Sequence, residues 1–584
     1  MTTFASLTAV TQGEIFQNPH PSQPVQYLLT DSRSGIQNGA SLFFAIRGER
    51  HDGHQYIGEL YKRGVRQFVV EQPPEGILPE ANILVVSHAV AALQQIVAHH
   101  RQQFSVPVVG ITGSNGKTIV KEWLSQLLLT TERVVRNPKS YNSQIGVPLS
   151  VWTMNDAHTI GVFEAGVSQV GEMGKLAKVV QPDIGIFTNI GPPHDEGFTS
   201  RRQKVEEKAL LFGSASTIIY RKDYSLIDEV LKAKFVEEKC CTWSTDTDNL
   251  AKYSIQWNKK QVNTEVMVRE SASQQHWTFV VPFRDEASLE NSTQALIFGI
   301  HHQYDLKKWR DTLQQLRPVS MRLEWKQGIN HCYLVDDSYS NDLVSLQLAL
   351  DFLKQQSQKV KHTVILSDIL QSGESSSILY QKVSYLLLQK GIDRLIGIGP
   401  EIYQQQSLFQ SLSVEASFYY NTEAFLEAFS SDQFFQENIL IKGARTFHFE
   451  RIVRRLQQKI HSTVLEINLD AITHNLNQYR SKLAPSTKIM VMVKAFSYGG
   501  AAFEIANLLQ FHQVDYLGVA YADEGVRLRE HGIRTPILVL NPEPEAFEIM
   551  LDYQLEPEIY STKLLNQFTA YLDNSAKRLP IHLM

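Results

Sequence analysis

The residues with the clearest chemical potential lie in V-G-I-T-G-S-N-G-K-T, residues 109–118. An apolar run ends here in a turn of small residues, and a helical pattern resumes at Val120. A glycine-rich turn between a strand and a helix directs several backbone N–H groups toward one point, where they bind phosphate. Lys117 adds a charge for the outer phosphates, and the Thr118 hydroxyl can bind Mg²⁺. The alternative is a structural glycine turn beside an exposed lysine. The predicted phosphate-binding residues are Gly113, Ser114, Asn115, Gly116, Lys117 and Thr118.

A second candidate metal ligand follows a later predicted strand. The run V-F-E-A-G, residues 162–166, delivers Glu164 at the strand's end. Mg²⁺ prefers a few protein oxygens together with phosphate and water, so a carboxylate here is a suitable ligand. Glu164 is therefore predicted to share the ion with Thr118.

The spacing of the phosphate loop resembles one family in particular. Only two residues separate Gly113 from Gly116, whereas the common phosphate loop has four. This tight form resembles the Mur ligase superfamily, which uses ATP to activate a carboxylate and join it to an amine. The resemblance implies two more magnesium ligands, His194 in N-I-G-P-P-H-D-E-G-F and a carbamylated Lys208 in V-E-E-K-A-L-L-F. An anionic carbamate oxygen suits a hard cation.

The same resemblance implies nucleotide contacts from farther along the chain. Asn291 stands at the family's adenine-contacting asparagine, although Glu290 replaces the usual preceding histidine. Arg322 and Asp337 match an arginine and an aspartate that close over the nucleotide. Two further basic residues, which either reach substrate or lie at the surface, are Lys442 and Arg445.

The N-terminal region resembles the UDP-binding domain shared by the two late peptide-adding Mur ligases. The segments are T-D-S-R (30–33), L-F-F-A-I-R-G (42–48) and H-D-G-H-Q-Y-I (51–57). The resemblance implies a site for the UDP end of a substrate. Its expected residues are Ser32, Arg33, Asp52, Gly53, His54 and Asn142.

Two segments favour the late ligase that adds D-alanyl-D-alanine. They are N-S-Q-I-G-V-P-L (142–149) and D-D-S-Y-S-N (336–341), and the D-N-P-R signature of the tripeptide-forming ligase is absent. The resemblance implies an ATP- and Mg²⁺-dependent acid–amino-acid ligase with UDP-N-acetylmuramoyl-tripeptide and D-alanyl-D-alanine as substrates. Phosphorylation by ATP would convert the substrate carboxylate into an acyl phosphate, which the dipeptide amine attacks.

From Val464 the sequence resembles a second family. V-L-E-I-N-L-D-A-I-T-H-N-L (464–476) and K-I-M-V-M-V-K-A-F-S-Y-G-G (488–500) are similar to the start of alanine racemase, a (β/α)₈ barrel that uses pyridoxal phosphate. Lys494 ends a strand predicted to be buried, where desolvation lowers a lysine's pKa and permits a Schiff base with the cofactor aldehyde. Tyr498 matches the tyrosine that approaches the cofactor phosphate.

The chain stops at I-H-L-M (581–584), where that second family continues. A complete barrel of this type usually exceeds about 200 residues. We therefore expect a partial, truncated barrel that does not racemise alanine, with dimerisation belonging to a complete racemase.

Alternating short apolar strands and helical patterns must position these residues. Such alternation indicates parallel sheets covered by helices, with sites at the carboxyl ends of the strands. The predicted class is α/β, a three-domain Mur ligase with a UDP-binding N-terminal domain, a phosphate-loop central domain and a Rossmann-like C-terminal domain, followed by an incomplete (β/α)₈ barrel. The predicted domains are 1–103, 104–315, 316–460 and 461–584.

Bulk properties place the protein in a reducing, aqueous compartment. The net charge of −5 offers no electrostatic argument for nucleic acid or an anionic membrane. The three cysteines, Cys240, Cys241 and Cys332, have no metal-ligand spacing. No apolar run approaches the ~18 residues of a membrane span. A cytoplasmic location is expected.

Two alternatives remain open at the level of sequence. One is another amide ligase of the same superfamily, either tripeptide-forming or of the folylpolyglutamate type. The other is a non-catalytic, nucleotide-binding regulator in which both halves have lost activity. The first differs from the favoured interpretation in the amine that triggers phosphate release, and the second would release no phosphate.

Overall fold

Four sheets organise the described part of the chain. The structure is a computed structural model. It describes residues 2–32, 40–48, 52–74, 76, 78–138, 141–190, 197–261, 263–273, 275–316, 324–338, 341–355, 359–370, 375–410, 414–458, 467–484, 487–497, 502–573 and 578–584.

The first sheet has five strands in the order β1-β5-β4-β3-β2. Strand β1 is antiparallel to β5, and the other neighbours are parallel. The central strands β3 and β4 are completely buried, since helices or neighbouring segments cover both faces. The elements are β1 Glu14–Gln17, β2 Tyr27–Leu29, β3 Ser41–Phe44, β4 Gln67–Val70 and β5 Asn82–Val85, with α1 Leu7–Thr11, α2 Ile57–Lys62 and α3 Ala89–Arg101.

The second sheet has nine strands in the order β14-β13-β12-β11-β10-β9-β6-β8-β7. Strands β6 to β12 pair in parallel, whereas β12, β13 and β14 form an antiparallel meander. The strands are β6 Val108–Thr112, β7 Val134–Arg136, β8 Ile160–Glu164, β9 Ile184–Phe187, β10 Thr217–Arg221, β11 Cys240–Ser244, β12 Tyr253–Lys259, β13 Thr264–Glu270 and β14 His276–Val281. The helices are α4 Lys117–Leu128, α5 Gly146–Val151, α6 Met173–Val180, α7 Arg201–Ala209, α8 Ser225–Lys234, α9 Glu286–His301 and α10 Leu306–Gln314.

The third sheet has six strands in the order β15-β16-β20-β17-β18-β19, parallel apart from the β15–β16 pair. The strands are β15 Glu324–Gln327, β16 Tyr333–Asp337, β17 Lys361–Ser367, β18 Arg394–Ile398, β19 Glu415–Tyr419 and β20 Glu437–Lys442. The helices are α11 Leu343–Gln355, α12 Ser376–Gln389, α13 Pro400–Gln404, α14 Gln406–Gln410, α15 Thr422–Ala428 and α16 Glu450–Leu456.

The fourth sheet is parallel throughout, in the sequential order β21-β22-β23-β24-β25. This strand–helix alternation with sequential order matches the partial (β/α) barrel expected from the sequence. The strands are β21 Met490–Met492, β22 Tyr516–Val519, β23 Ile537–Val539, β24 Leu555–Ile559 and β25 His582–Leu583. The helices are α17 Leu469–Lys482, α18 Lys494–Ser497, α19 Ala502–Phe511, α20 Ala522–Glu530, α21 Phe547–Asp552 and α22 Thr562–Asp573.

The α/β class and the parallel sheets predicted from the alternating pattern are confirmed. Two details differ from the sequence-based expectation. The antiparallel strands β12 to β14 were not predicted, and β21 is exposed to half-buried rather than buried because it lies at the edge of its sheet. The domain boundaries near residues 104 and 316 stay predictions, and the one near 461 lies outside the described residues. None of the described helices combines the length and the apolar character that crossing a bilayer requires.

Candidate active site

The phosphate loop joins β6 to α4 and needs glycine at two positions. Gly113 has φ +142° and Gly116 has φ +81°, a region that side chains rarely adopt. A Cβ on Gly113 would lie 2.0 Å from Thr188 Oγ1, and a Cβ on Gly116 would lie 2.3 Å from Asn291 Oδ1. The loop is therefore closely packed against the end of β9 on one side and against helix α9 on the other.

Residues after β9 hold the loop in this shape. The amides of Ser114 and Asn115 donate to the carbonyl and side-chain oxygens of Asn189, at 2.8 and 3.0 Å. The Thr188 hydroxyl donates to the Asn115 carbonyl at 2.6 Å. These two loop amides thus support the loop itself, and phosphate would meet the other N–H groups at the start of α4.

Lys117 lies over the loop that precedes it. Its ammonium donates to the carbonyl oxygens of Gly113 and Ser114, at 2.9 and 2.7 Å. The cation is therefore held at the mouth of the loop, where the outer phosphates of a bound nucleotide would exchange for these carbonyls.

Thr118 and Glu164 form the predicted metal corner. The Thr118 hydroxyl donates to Glu164 Oε2 at 2.8 Å, and Glu164 is completely buried. Its other oxygen, Oε1, has no hydrogen-bond partner among the described residues. A buried carboxylate oxygen without a donor is costly unless a cation binds it. The hydroxyl and carboxylate donors fit Mg²⁺.

Asn137 fixes the backbone on which Glu164 lies. Its side-chain oxygen accepts from the Glu164 amide at 2.7 Å, and its amide group donates to the Tyr141 carbonyl at 2.8 Å. Asn137 is completely buried. The sequence prediction missed it, although an asparagine directly before Pro138 at the end of a strand was an available signal.

Lys208 lies on helix α7 close to the loop lysine. It is only 2% exposed. Burial lowers its pKa well below the ordinary value, and the positive charges of Lys117 and Lys204 lower it further. Lys208 is therefore close enough to Lys117 to interact electrostatically with it, and its amine favours the neutral form that a carbamylation would need.

Lys204, one turn earlier on α7, was also missed from sequence. Burial lowers its pKa to about 8, while Asp342 raises it and Lys117 lowers it. Asp342 follows β16 of the third sheet, and Lys117 belongs to the phosphate loop. Because both act on Lys204, the carboxyl end of the third sheet lies within electrostatic reach of the phosphate loop.

Helix α9 brings Asn291 to the loop. The helix begins at an Asp285 cap whose carboxylate accepts from the Ser288 amide at 2.7 Å. Glu290, the neighbour of Asn291, points elsewhere and binds Arg221 Nη1 at 3.1 Å and the Tyr224 hydroxyl at 2.7 Å. Asn291 lies beside Gly116 of the loop, and its contact with adenine stays a prediction.

The N-terminal predicted residues form a compact turn. Asp52 accepts from the His54 amide at 3.0 Å and from the His54 ring Nδ1 at 2.6 Å. These two contacts, together with a hydrogen bond from Arg47, lower the pKa of Asp52 to about 2. His54 Nε2 accepts from the Glu71 amide at 3.0 Å, so both ring nitrogens are engaged within the domain. Gly53 allows close approach, since a Cβ there would lie 2.8 Å from the Ile46 amide nitrogen.

The two other described members of the predicted UDP site lie apart from this turn. The Ser32 carbonyl accepts from Arg63. The Asn142 carbonyl accepts from the Gly166 amide at 2.9 Å, two residues beyond Glu164. Asn142 therefore lies beside the metal corner, and its role toward a substrate stays a prediction.

In the third sheet, Asp337 and Lys442 end adjacent parallel strands. Lys442 Nζ lies 2.7 Å from Asp337 Oδ2, and both side chains are at least nine-tenths buried. Lys442 is therefore a buried ion-pair partner rather than a surface charge. Arg445, by contrast, binds Asp470 at 3.0 Å, and both of those side chains are more than half exposed.

Lys494 begins the short helix α18 after β21 and is half-buried. The neighbouring Ala495 amide donates to Glu524 at 2.6 Å. Lys494 is thus at the carboxyl end of a parallel sheet, the position that the racemase resemblance implies for it. Four predicted site residues lie outside the described residues: Arg33, His194, Arg322 and Tyr498.

Family models match three stretches of the chain. Residues 25–105 match the Mur ligase family catalytic domain and residues 111–299 match the Mur ligase middle domain. The UDP-N-acetylmuramoyl-tripeptide–D-alanyl-D-alanine ligase of Bacillus subtilis is 26% identical over 450 residues, covering 75% of this chain and 95% of that protein. These matches confirm the predicted resemblance to the Mur ligase family. Residues 467–584 match the alanine racemase N-terminal domain, so the second predicted family is also confirmed.

Two further proteins match this chain over a similar length. The Escherichia coli protein of the same name is 25% identical over 464 residues, covering 78% of this chain and 98% of that protein. A crystal structure of MurF from Acinetobacter baumannii has a TM-score of 0.67 at 23% identity, covering 77% of this chain and 98% of that chain. The three-domain ligase fold predicted from the sequence is confirmed by this likeness.

Proposed function

We propose that the chain joins D-alanyl-D-alanine to UDP-N-acetylmuramoyl-tripeptide at the expense of ATP. The observation that carries the proposal is the convergence of Lys117, the Thr118–Glu164 corner and buried Lys208 around one glycine loop. The proposed substrates come from the name of the relatives, UDP-N-acetylmuramoyl-tripeptide–D-alanyl-D-alanine ligase. These relatives match this chain along nearly their whole length.

The reaction proceeds in two displacements. A carboxylate oxygen of the tripeptide attacks the γ-phosphorus of ATP, the bond to the bridging oxygen breaks, and ADP leaves. The dipeptide amine then attacks the carbonyl carbon of the acyl phosphate and loses a proton. Phosphate departs with the bonding electrons. This chemistry needs positioning and charge stabilisation more than a protein nucleophile.

The loop residues supply these two requirements. Lys117 exchanges its loop carbonyls for the outer phosphates, and Asn291 orients the adenine beside Gly116. Thr118, Glu164, His194 and carbamylated Lys208 are the proposed ligands of Mg²⁺, which when bound neutralises charge on the transferring phosphoryl group. Arg322 and Asp337 are proposed to close over the nucleotide.

The UDP end of the substrate is proposed to bind the N-terminal sheet. Ser32 and Arg33 are the proposed contacts to the UDP end. Asp52, Gly53 and His54 are proposed to shape the neighbouring turn, and Asn142 is the proposed contact from the central domain. Since His54 uses both ring nitrogens internally, its contribution is to hold the turn.

Residues 467–584, called the racemase-type segment from here on, are proposed to bind pyridoxal phosphate through Lys494, with Tyr498 as the proposed contact to its phosphate. The half-buried amine of Lys494 at the carboxyl end of β21 fits a group that is held through an aldehyde. When bound, the cofactor would act as an electron sink. The expected lack of racemase activity in this chain, and dimerisation of a complete racemase, stay predictions.

A phosphate-release assay tests the ligase proposal. The purified chain is mixed with ATP, Mg²⁺ and UDP-N-acetylmuramoyl-tripeptide, with or without D-alanyl-D-alanine. We expect sustained phosphate release only with the dipeptide. Release triggered instead by a single amino acid would indicate another amide ligase of the superfamily, and no release with any amine would favour a nucleotide-binding regulator.

A further inference from the structure

The racemase-type segment contacts all three ligase domains. It reaches the N-terminal sheet where the Gln513 side chain donates to the Leu28 carbonyl at 3.3 Å. Arg534 pairs with Asp156 of the central domain at 3.4 Å. The surface pair between Arg445 and Asp470 joins the segment to the third sheet's domain.

Helix α19 of this segment contacts the central domain at both of its ends. Near its start, Glu504 Oε1 lies 3.6 Å from Arg136 Nη2. At its end, the Phe511 ring packs edge-on against the Tyr141 ring, with centroids 5.1 Å apart. Arg136 and Tyr141 flank Asn137, the residue that fixes the backbone of Glu164.

A continuous series of polar contacts leads inward from Arg136. Arg136 Nη1 lies 2.9 Å from Glu122 Oε2, and Glu122 Oε1 lies 2.9 Å from Lys121 Nζ. Lys121 Nζ also donates to the Asn137 carbonyl at 2.9 Å. Asn137 then accepts from the Glu164 amide at 2.7 Å.

Burial makes this series sensitive to its outer end. The Lys121 side chain is completely buried, and those of Arg136 and Glu122 are 13% and 20% exposed. Charges held in such an environment reorganise when a partner is lost, because an unpaired buried charge is costly. Glu504 is the exposed end of the series, at 36%.

We propose that helix α19 of the racemase-type segment is a positioning element for the ligase's metal corner. Glu504 and Phe511 hold the segment that contains Arg136 and Tyr141, and Asn137 transmits that placement to Glu164. The racemase-type segment thus supports the ligase independently of any racemase chemistry. The inference rests on the proposed metal role of Glu164.

The first experiment measures Mn²⁺ binding to the full chain in the presence of ADP, by electron paramagnetic resonance. Glu504→Lys reverses the charge facing Arg136. Glu548→Lys makes the same change at an exposed position of α21, a helix that packs on β24 and α20 of its own segment. We expect Glu504→Lys to weaken Mn²⁺ binding about 3- to 10-fold and Glu548→Lys to leave it unchanged. Equal Mn²⁺ affinity in both variants, whether retained or weakened, would overturn the proposal.

A double-mutant cycle separates positioning from general destabilisation. Glu504→Gln, Arg136→Gln and the double variant are compared in Mn²⁺ affinity, with melting temperatures recorded in parallel. If the contact transmits the effect, the double variant loses no more affinity than Arg136→Gln alone. Additive losses would contradict it.

The ligase reaction provides a second readout. Glu504→Lys should raise the Mg²⁺ concentration needed for half-maximal phosphate release, with the KM for the UDP-substrate unchanged. A change in that KM with an unchanged Mg²⁺ requirement would contradict positioning of the metal corner. If the parent chain shows no ligation, the proposed function fails, while the Mn²⁺ measurements still decide this inference.

Discussion

Two lysines, Lys117 and Lys208, lie close together at the phosphate loop with different surroundings. Lys117 is half-buried and hydrogen-bonded to loop carbonyls, which suits a permanent cation. Lys208 is buried on α7, and burial together with Lys117 disfavours its charged form. Their environments therefore assign one as a cation for phosphate and the other as an amine that can react with CO₂.

Replacing Lys117 by alanine should abolish ligation while UDP-substrate binding is retained. The loss of a charge on the outer phosphates is expected to cost about 10²- to 10³-fold in kcat. Phosphate release and calorimetric titration of the UDP-substrate measure the two effects. Lys175→Ala, on the exposed face of α6, is the control. Persistent ligation in the Lys117 variant would show that the phosphate assignment is wrong.

Lys208 should carry a carbamate when bicarbonate is present. Because its folded-state pKa is lowered, the reactive neutral amine is populated at lower pH than in an ordinary lysine, and labelling should rise as pH increases through that lowered value. ¹³C NMR with labelled bicarbonate measures the carbamate signal. The signal should disappear in Lys208→Arg and remain in Lys204→Arg, whose lysine also has a lowered pKa. A signal that survives in Lys208→Arg would place the carbamate elsewhere.

At the scale of elements, the phosphate loop depends on two neighbours that are distant in sequence. The end of β9 contacts the loop through Thr188 and Asn189, and helix α9 contacts it through Asn291. The strand, turn and helix pattern around residues 109–118 was predictable, since it follows from apolar runs and glycine placement. The bracing by Asn189 was not, because strand order decides which strand end lies beside the loop.

Gly116→Ala tests whether the loop's packing against α9 matters for nucleotide binding. Gly171 has a similar φ of +85°, but a Cβ there would meet nothing within 4 Å. Both changes incur the left-handed backbone cost of about 1–2 kcal/mol. Only Gly116→Ala also displaces Asn291, so we expect ATP binding to weaken about 10-fold or more in that variant alone. Fluorescence titration with an ATP analogue measures this, and equal affinities would contradict the proposed role of Asn291.

At the scale of the whole molecule, the racemase-type segment packs on the ligase through a buried histidine. His158 is 5% exposed, and a Cβ on Gly532 of the segment would lie 2.4 Å from its Nε2. The Asn155 amide donates to His158 Nδ1 at 3.1 Å. Burial, with the charge of Arg534, lowers the pKa of His158 to about 4. The interface therefore favours the neutral imidazole.

Acidification should destabilise this arrangement in a way that depends on His158. Between its unfolded pKa of 6.5 and its folded value of about 4, the unfolded chain binds more protons, so stability falls as pH falls. At pH 5 the expected cost is about 2 kcal/mol. The fall in melting temperature from pH 7 to pH 5 should be smaller in His158→Gln, which retains an acceptor, than in the parent chain. In His99→Gln, whose histidine is exposed, the fall should equal that of the parent chain. If both variants show the same fall in melting temperature, His158 is not a source of the acid sensitivity.

The sequence by itself determined the classes of element, the phosphate loop and the two family resemblances. These follow from local apolar periodicity, glycine spacing and short motifs, which act over a few residues. It also singled out Thr118, which follows a predicted strand and its glycine turn, and Glu164, which ends another predicted strand.

The tertiary structure alone decided which strand ends meet. It placed Asn137 behind Glu164, Asn189 beneath the loop, and Lys204 within reach of Asp342 of another domain. It also brought Glu504 of the racemase-type segment to Arg136 of the ligase. Strand order and domain docking depend on contacts between residues tens to hundreds of positions apart, and local patterning carries no record of them.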